Sequence, residues 1–139
     1  MEDIKAVQFE SGRLRLIDQR LLPSRFEYWY TNTEEGVFEA IRTMIVRGAP
    51  AIGGAATYGA YFALLDSKGN REAFNEKCSH LISARPTAVN LEWSVKRMMA
   101  KAEESGYEPD ALLDEAHRIV KEDEEMNHRL SEIGLQVIR

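Results

Sequence analysis

The stretch FEYWYTNTEEGVFEAIRTMI, residues 26–45, changes its period halfway along. Phe26, Tyr28 and Tyr30 alternate with Glu27 and Trp29, the two-residue repeat of a strand. Beyond Thr33 the apolar residues Val37, Phe38, Ile41, Met44 and Ile45 recur at the spacing that lines one side of a helix. Thr33 is a capping residue, and Glu34 and Glu35 suit the positive end of the helix dipole. The junction at Thr33 therefore divides the chain into a strand part and a helical part.

Working toward the N-terminus, Pro23 breaks the chain before this strand. RLRL (13–16) alternates charged and apolar residues, Gly12 marks a turn, and AVQF (6–9) precedes it. A small antiparallel β-meander over 1–32 fits these signals. Working toward the C-terminus, Gly48 lies just past the end of the first helix, predicted to run through Ile45. Pro50 then takes the first turn of the next helix, where its missing N–H costs nothing. That helix carries Gly53, Gly54, Ala55, Ala56, Gly59, Ala60 and Ala63, a composition that weakens a helix intrinsically. Close approach of neighbouring backbones explains it and predicts a central position in the bundle.

A third helix starts at Asn70, with Phe74, Cys78, Leu81 and Ile82 turned inward. A fourth runs from Thr87 through Leu91, Val95, Met98 and Ala102 and stops at Gly106. The last begins near Pro109, and Leu112, Ala116, Ile119, Asp123, Met126, Leu130, Ile133 and Val137 recur along it at spacings of four and three. The fold class is α+β, mostly α: a meander (1–32) followed by a bundle of about five helices (33–139), together one domain over 1–139.

Composition narrows the function classes. A net charge of -5, with Lys and Arg dispersed, argues against a nucleic-acid surface. A single cysteine, Cys78, forbids an intrachain disulfide and fits a reducing compartment. MEDIKAVQFE lacks the basic-then-apolar layout of a signal peptide, and the longest apolar stretch, 51–65, is short for a membrane span. A soluble, cytoplasmic protein with no membrane partner is expected.

Two segments carry a shared device: VRGAPAIG (46–53) and ARPTAVNL (84–91) each set an arginine and a proline at a predicted helix start. Cations are disfavoured at helix N-termini by about 0.3–1 kcal/mol each. A bound anion reverses that sign, because first-turn amides and a guanidinium together hold phosphate well. Gly48 would let a bulky oxyanion approach the backbone. Solvated side chains and an anion site both fit the residues alone. Other chemistry is thin. Cys78 lies on an apolar stripe, which suits a structural thiol. His80, His117 and His128 lack metal-ligand spacing, and no P-loop, GxGxxG or GxSxG is present. Asp123 and Asn127 fit either buried packing groups or a pocket lining.

LIDQRLLP (16–23), IRTMIVRGAPAIG (41–53) and RPTAVNL (85–91), in this order, resemble the N-terminal part of the S-methyl-5-thioribose-1-phosphate isomerase family. Regulatory subunits of translation initiation factor 2B and ribose-1,5-bisphosphate isomerases share that family. The resemblance covers essentially the whole chain, and the two arginine motifs favour the methylthioribose enzymes within it. It implies that Arg47, Gly48, Ala49 and Arg85 bind the phosphate and sugar of the substrate. The implied reaction is aldose–ketose isomerisation of 5-methylthioribose-1-phosphate to 5-methylthioribulose-1-phosphate in methionine salvage, with no metal or other cofactor. The family's catalytic cysteine and aspartate lie in a C-terminal Rossmann-like domain that would follow position 139, and Cys78 does not match that cysteine's motif. No catalytic residue is therefore expected within 1–139, and the segment alone is expected to be inactive and to self-associate as a homodimer. Gly54, Thr57 and Glu92 depart from the family pattern without removing a phosphate ligand. The rival expectation is a non-catalytic assembly module of the initiation-factor type, or part of a ribose-1,5-bisphosphate isomerase.

Overall fold

Ser11 and Gly12 both adopt left-handed backbone, with φ of 51° and 79°. Such a pair closes a two-residue hairpin whose twist matches its strands. A computed structural model describes residues 7–18, 20–21, 24, 27–46, 49–85 and 87–122. In it the hairpin joins β1 (Val7–Glu10) to β2 (Arg13–Ile17), and β3 (Tyr28–Thr31) completes an antiparallel sheet in the order β1-β2-β3. Leu14 stands opposite Phe9 on one side and Thr31 on the other, and Leu16 opposite Val7 and Trp29. This face is the buried one, with Leu14 and Leu16 fully enclosed. On the outer face Arg13 and Arg15 lie over the rings of Tyr30 and Tyr28, at 4.4 and 4.3 Å.

The β2–β3 connection explains part of the LIDQRLLP motif structurally. The Asp18 amide donates to the Glu27 carbonyl at 2.9 Å, and the Asp18 carboxylate accepts from Arg20 Nε at 3.0 Å and Arg20 Nη2 at 2.8 Å. Phe26 and Pro23, used to predict the third strand and its break, lie outside the described residues.

Among the described residues five helices follow. They are α1 (Glu34–Arg42), α2 (Ala49–Ser67), α3 (Arg71–Ile82), α4 (Val89–Ser105) and α5, described over 109–122. The fold is α+β and mostly α, as the change of period at Thr33 predicts. The Thr33 hydroxyl accepts from the Gly36 amide at 3.0 Å, and Asn70 Oδ1 accepts from the Ala73 amide at 3.0 Å. At the other end of α4, Gly106 takes a left-handed φ of 73° and closes the helix.

Two helix limits differ from expectation. α1 ends at Arg42 rather than running through Ile45. The Thr43 hydroxyl bonds the Glu39 carbonyl at 2.6 Å, and Met44 swings to a φ of 68°. Met44 is consequently 42% exposed, not part of the apolar face to which its spacing assigned it, whereas Ile45 and Val46 are buried. α4 begins at Val89 rather than Thr87, because the Ala88 amide donates to the Arg85 carbonyl at 2.9 Å and commits 85–88 to a turn. Gly48, Pro86 and everything beyond 122, including Asp123, Met126, Asn127, His128, Leu130, Ile133 and Val137, lie outside the described residues.

α2 is the axis of the bundle, and its glycines show why. A methyl group on Gly53 would sit 3.1 Å from Ser94 Oγ of α4. On Gly54 it would meet Val120 of α5 at 3.5 Å and Val7 of β1 at 3.9 Å. On Gly59 it would lie 2.8 Å from Leu81 of α3 and 3.0 Å from Val37 of α1. Each glycine thus admits a different neighbour. The hydroxyls of the buried Thr57 and Ser67 bond carbonyls of their own helix, those of Gly54 and Ala63. Phe62, Phe74, Leu64, Leu91 and Met98 fill the spaces between helices. Each such side chain contributes roughly 1.5–3 kcal/mol on burial.

Side-chain pairs fasten the remaining seams. His80 Nδ1 of α3 lies 2.8 Å from Oε2 of the buried Glu34 on α1, and its ring stacks on Phe38 at 3.9 Å. Arg97 of α4 reaches Glu115 and Glu122 of α5 at 3.0 and 2.8 Å, while Arg118 takes the other oxygen of Glu115 at 2.7 Å.

Candidate phosphate site at two helix starts

The contact at Gly53 sets the first turns of α2 and α4 side by side, since Asn90 as well as Ser94 lies against that glycine. Gly53 is the fifth residue of α2, and Asn90 the second of α4. Two helix N-termini therefore share one end of the bundle. Both present amides with no partner inside their own helix.

The α4 start is left open by its own sequence. Its N-cap is Ala88, which offers no side-chain acceptor, in contrast with Thr33 and Asn70 at α1 and α3. Pro86 does not belong to the described residues, and Thr87 beside the start is exposed. Arg85 closes the turn into the helix through its carbonyl and is partly buried. Its guanidinium makes no ion pair among the described residues, unlike Arg97, which is bound to two glutamates. A cation near uncapped amides would be an electrostatic liability until an anion joined them.

Of the four residues expected to bind substrate, Ala49 is the first residue of α2 and Arg85 stands in the turn before α4. Arg47 and Gly48 lie outside the described residues. The sequence reading missed Asn90 and Ser94, whose place at the joint between the two starts depends on how α4 packs on α2. Their only sequence signal is proximity to Arg85.

The other reactive groups are held in structural roles. Cys78 is fully buried, and burial, reinforced by Glu34, pushes its thiol up to about 12, which leaves no thiolate near neutrality. Burial also raises the Glu34 carboxyl above the usual range, opposed mainly by its hydrogen bond to His80. Among the described residues no cluster of three or more His, Cys, Asp or Glu side chains is arranged to hold a metal ion. No described helix is long and apolar enough to cross a membrane.

Known proteins are similar to this chain in sequence and in fold. Residues 45–139, most of the chain and both arginine motifs, match the Initiation factor 2 subunit family. A methylthioribose-1-phosphate isomerase of Desulforudis audaxviator (strain MP104C) is 41% identical over 97% of this chain and 41% of its own length. A 5-deoxyribose 1-phosphate isomerase of Bacillus thuringiensis (strain Al Hakam) is 40% identical over 96% of this chain and 42% of its own. The chain thus spans about two-fifths of the length of these relatives. Among solved structures, 5-methylthioribose 1-phosphate isomerase from Pyrococcus horikoshii OT3 superposes with a TM-score of 0.68 at 37% identity, over 86% of this chain and 35% of that one. Translation initiation factor eIF-2B, subunit delta, from A. fulgidus superposes with a TM-score of 0.73 at 30% identity, over 89% and 37%. By the match of residues 45–139, most of its length, this chain belongs to the Initiation factor 2 subunit family.

Proposed function

We propose that this chain supplies the phosphate grip of a sugar-phosphate aldose–ketose isomerase acting on 5-methylthioribose-1-phosphate. The observation that carries the reading is the α4 start, uncapped and preceded by Arg85, packed at Gly53 against the start of α2. Arg47, Gly48, Ala49 and Arg85 are the proposed ligands, with guanidinium forks and first-turn amides sharing the phosphate oxygens. Relatives named for methylthioribose and for deoxyribose phosphates both act on a 1-phosphate sugar, so a grip on that phosphate serves either.

Isomerisation moves a proton between C1 and C2 and needs positioned acid and base groups, each contributing typically about 10²–10⁴-fold. In this proposal residues 1–139 form an N-terminal domain that binds the anion, and a following domain carries the acid–base chemistry. The likeness to the delta subunit of eIF-2B supports a second reading, an assembly module that binds no sugar phosphate.

Calorimetric titration with methylthioribose-1-phosphate, beside an assay of its conversion, separates the two. The chain is expected to bind the sugar phosphate, to lose about tenfold or more in affinity in Arg85→Ala, and to turn nothing over alone. Joining it to the C-terminal part of an isomerase relative should restore turnover. Turnover by residues 1–139 alone would overturn the division of labour. An Arg85→Ala variant with unchanged affinity would overturn the site, and absence of binding would favour the assembly module.

A further inference from the structure

A second cleft lies where β1, α2 and α5 meet, away from the helix starts described above in the side chains that form it. It has a volume of about 390 Å³, within the range of small-molecule sites and far above the roughly 30 Å³ of one water molecule. Val7 and Phe9 of β1 and Val120 of α5 make its apolar walls. Tyr58 of α2 adds an aromatic one: Phe9 stacks on it at 5.2 Å with 13° between the ring planes, and His117 meets Phe9 edge-on at 5.6 Å.

Among the described residues, the charged and titratable groups of the cleft are Lys121, His117 and Tyr58. Tyr58 Oη lies 2.8 Å from His117 Nδ1, which fixes the imidazole and leaves Nε2 as its other nitrogen. When the phenol donates to Nδ1, Nε2 carries the proton and is a donor. Lys121 stands one turn beyond His117 on α5, at the spacing that brings two side chains together on a helix. Gln8 also borders the cleft, but its side chain is turned to the outer face, where Oε1 accepts from Arg15 at 2.6 Å. An ammonium and an imidazole able to donate from Nε2 thus border the space. Among the described residues no carboxylate lines it, in a chain whose net charge is -5. Such a lining repels cations, offers a neutral polar molecule no strong acceptor, and rewards an anion with a flat apolar body.

We propose that this cleft binds a small carboxylate with an aromatic or branched apolar body, the carboxylate on Lys121 and His117 and the body against Phe9, Tyr58 and Val120. The site is independent of the phosphate grip and stands whether or not that reading holds.

Phenylacetate is a suitable probe, with 2-phenylethanol as its uncharged counterpart, titrated into the isotopically labelled chain and followed by amide and imidazole resonances. Saturable shifts are expected at Phe9, Tyr58, His117 and Lys121. Replacing the carboxylate by the alcohol, or Lys121 by Glu, should weaken binding by about tenfold, the loss of one charge-assisted contact. Lys121 is exposed, so Lys121→Glu keeps the fold, which an unchanged spectrum elsewhere verifies. Phenylacetate shifts that do not saturate, equal affinity for the alcohol, or equal affinity in Lys121→Glu would each overturn the proposal.

Discussion

Two seams of the bundle hold helix starts, and they are built by opposite means. At the α1–α3 seam the chain satisfies itself: Thr33 and Asn70 cap their helices, and Glu34 and His80 close the gap at 2.8 Å. At the α2–α4 seam nothing of the kind is present on the α4 side. Ala88 stands where a cap would, and a bare glycine, Gly53, makes the contact. A cap is worth about 1 kcal/mol, and Ser, Asn or Asp at position 88 would offer the side-chain acceptor that Ala88 lacks. The contrast separates a seam made only for stability from one that leaves stability unclaimed, as binding sites do.

Breaking the self-satisfied seam should have the largest effect. His80→Ala strands the buried Glu34 carboxylate and is expected to cost about 1–3 kcal/mol near neutral pH, the lower part of that range applying because His80 is half exposed. The sign of its pH dependence follows from Glu34. Burial already raises this carboxyl, and His80 holds it back. Removing His80 raises it further, so the native variant binds that proton more tightly than the parent does. A group raised in the folded state stabilises below its unfolded value and loses that contribution as pH rises through its folded one. The deficit of His80→Ala should therefore be greatest near pH 7 and narrow toward about pH 4.5, the ordinary glutamate range. Urea titrations at several pH values check it.

A smaller effect is expected along α2, where both seams meet. Gly59→Ala drives a methyl into Leu81 and Val37 at 2.8 and 3.0 Å. Overpacking of this kind costs about 1–3 kcal/mol, offset in part by the roughly 1 kcal/mol that alanine gains over glycine in a helix. Among the described residues Gly54→Ala meets nothing closer than 3.5 Å, so the propensity gain of up to about 1 kcal/mol is what remains. Thermal melts of the pair should move in opposite directions. Equal shifts would mean that α2 is not packed through its glycines.

How much of this was legible in the chain depends on the distance over which each feature is determined. The change of period at Thr33, the caps at Thr33, Asn70 and Gly106, and the crowded helix 49–67 are local, and the structure has them where the sequence puts them. The early end of α1 was not legible, because Met44 has no intrinsic liking for the left-handed backbone it adopts. The α4 start was displaced by a turn whose bond, from the Ala88 amide to the Arg85 carbonyl, is invisible to apolar periodicity. His80 and Glu34 are 46 residues apart, and Tyr58 and His117 are 59 apart, so no motif or period links them. The candidate site was half legible. The two arginine–proline segments announced helix starts that suit an anion, but only packing at Gly53 joins those starts.

The most direct test fills the missing cap. Ala88→Asp places a carboxylate at the α4 start, where it can accept from first-turn amides, and should raise stability by about 0.5–2 kcal/mol. The same carboxylate would occupy the amides and neutralise the field that the phosphate uses. Melting temperature and inorganic-phosphate affinity, measured on this variant and its parent, should therefore move in opposite directions: a higher melting temperature and a phosphate affinity reduced by about tenfold or more. A stabilised Ala88→Asp protein that binds phosphate as tightly as its parent would contradict the claim that the α4 start is left uncapped to hold an anion.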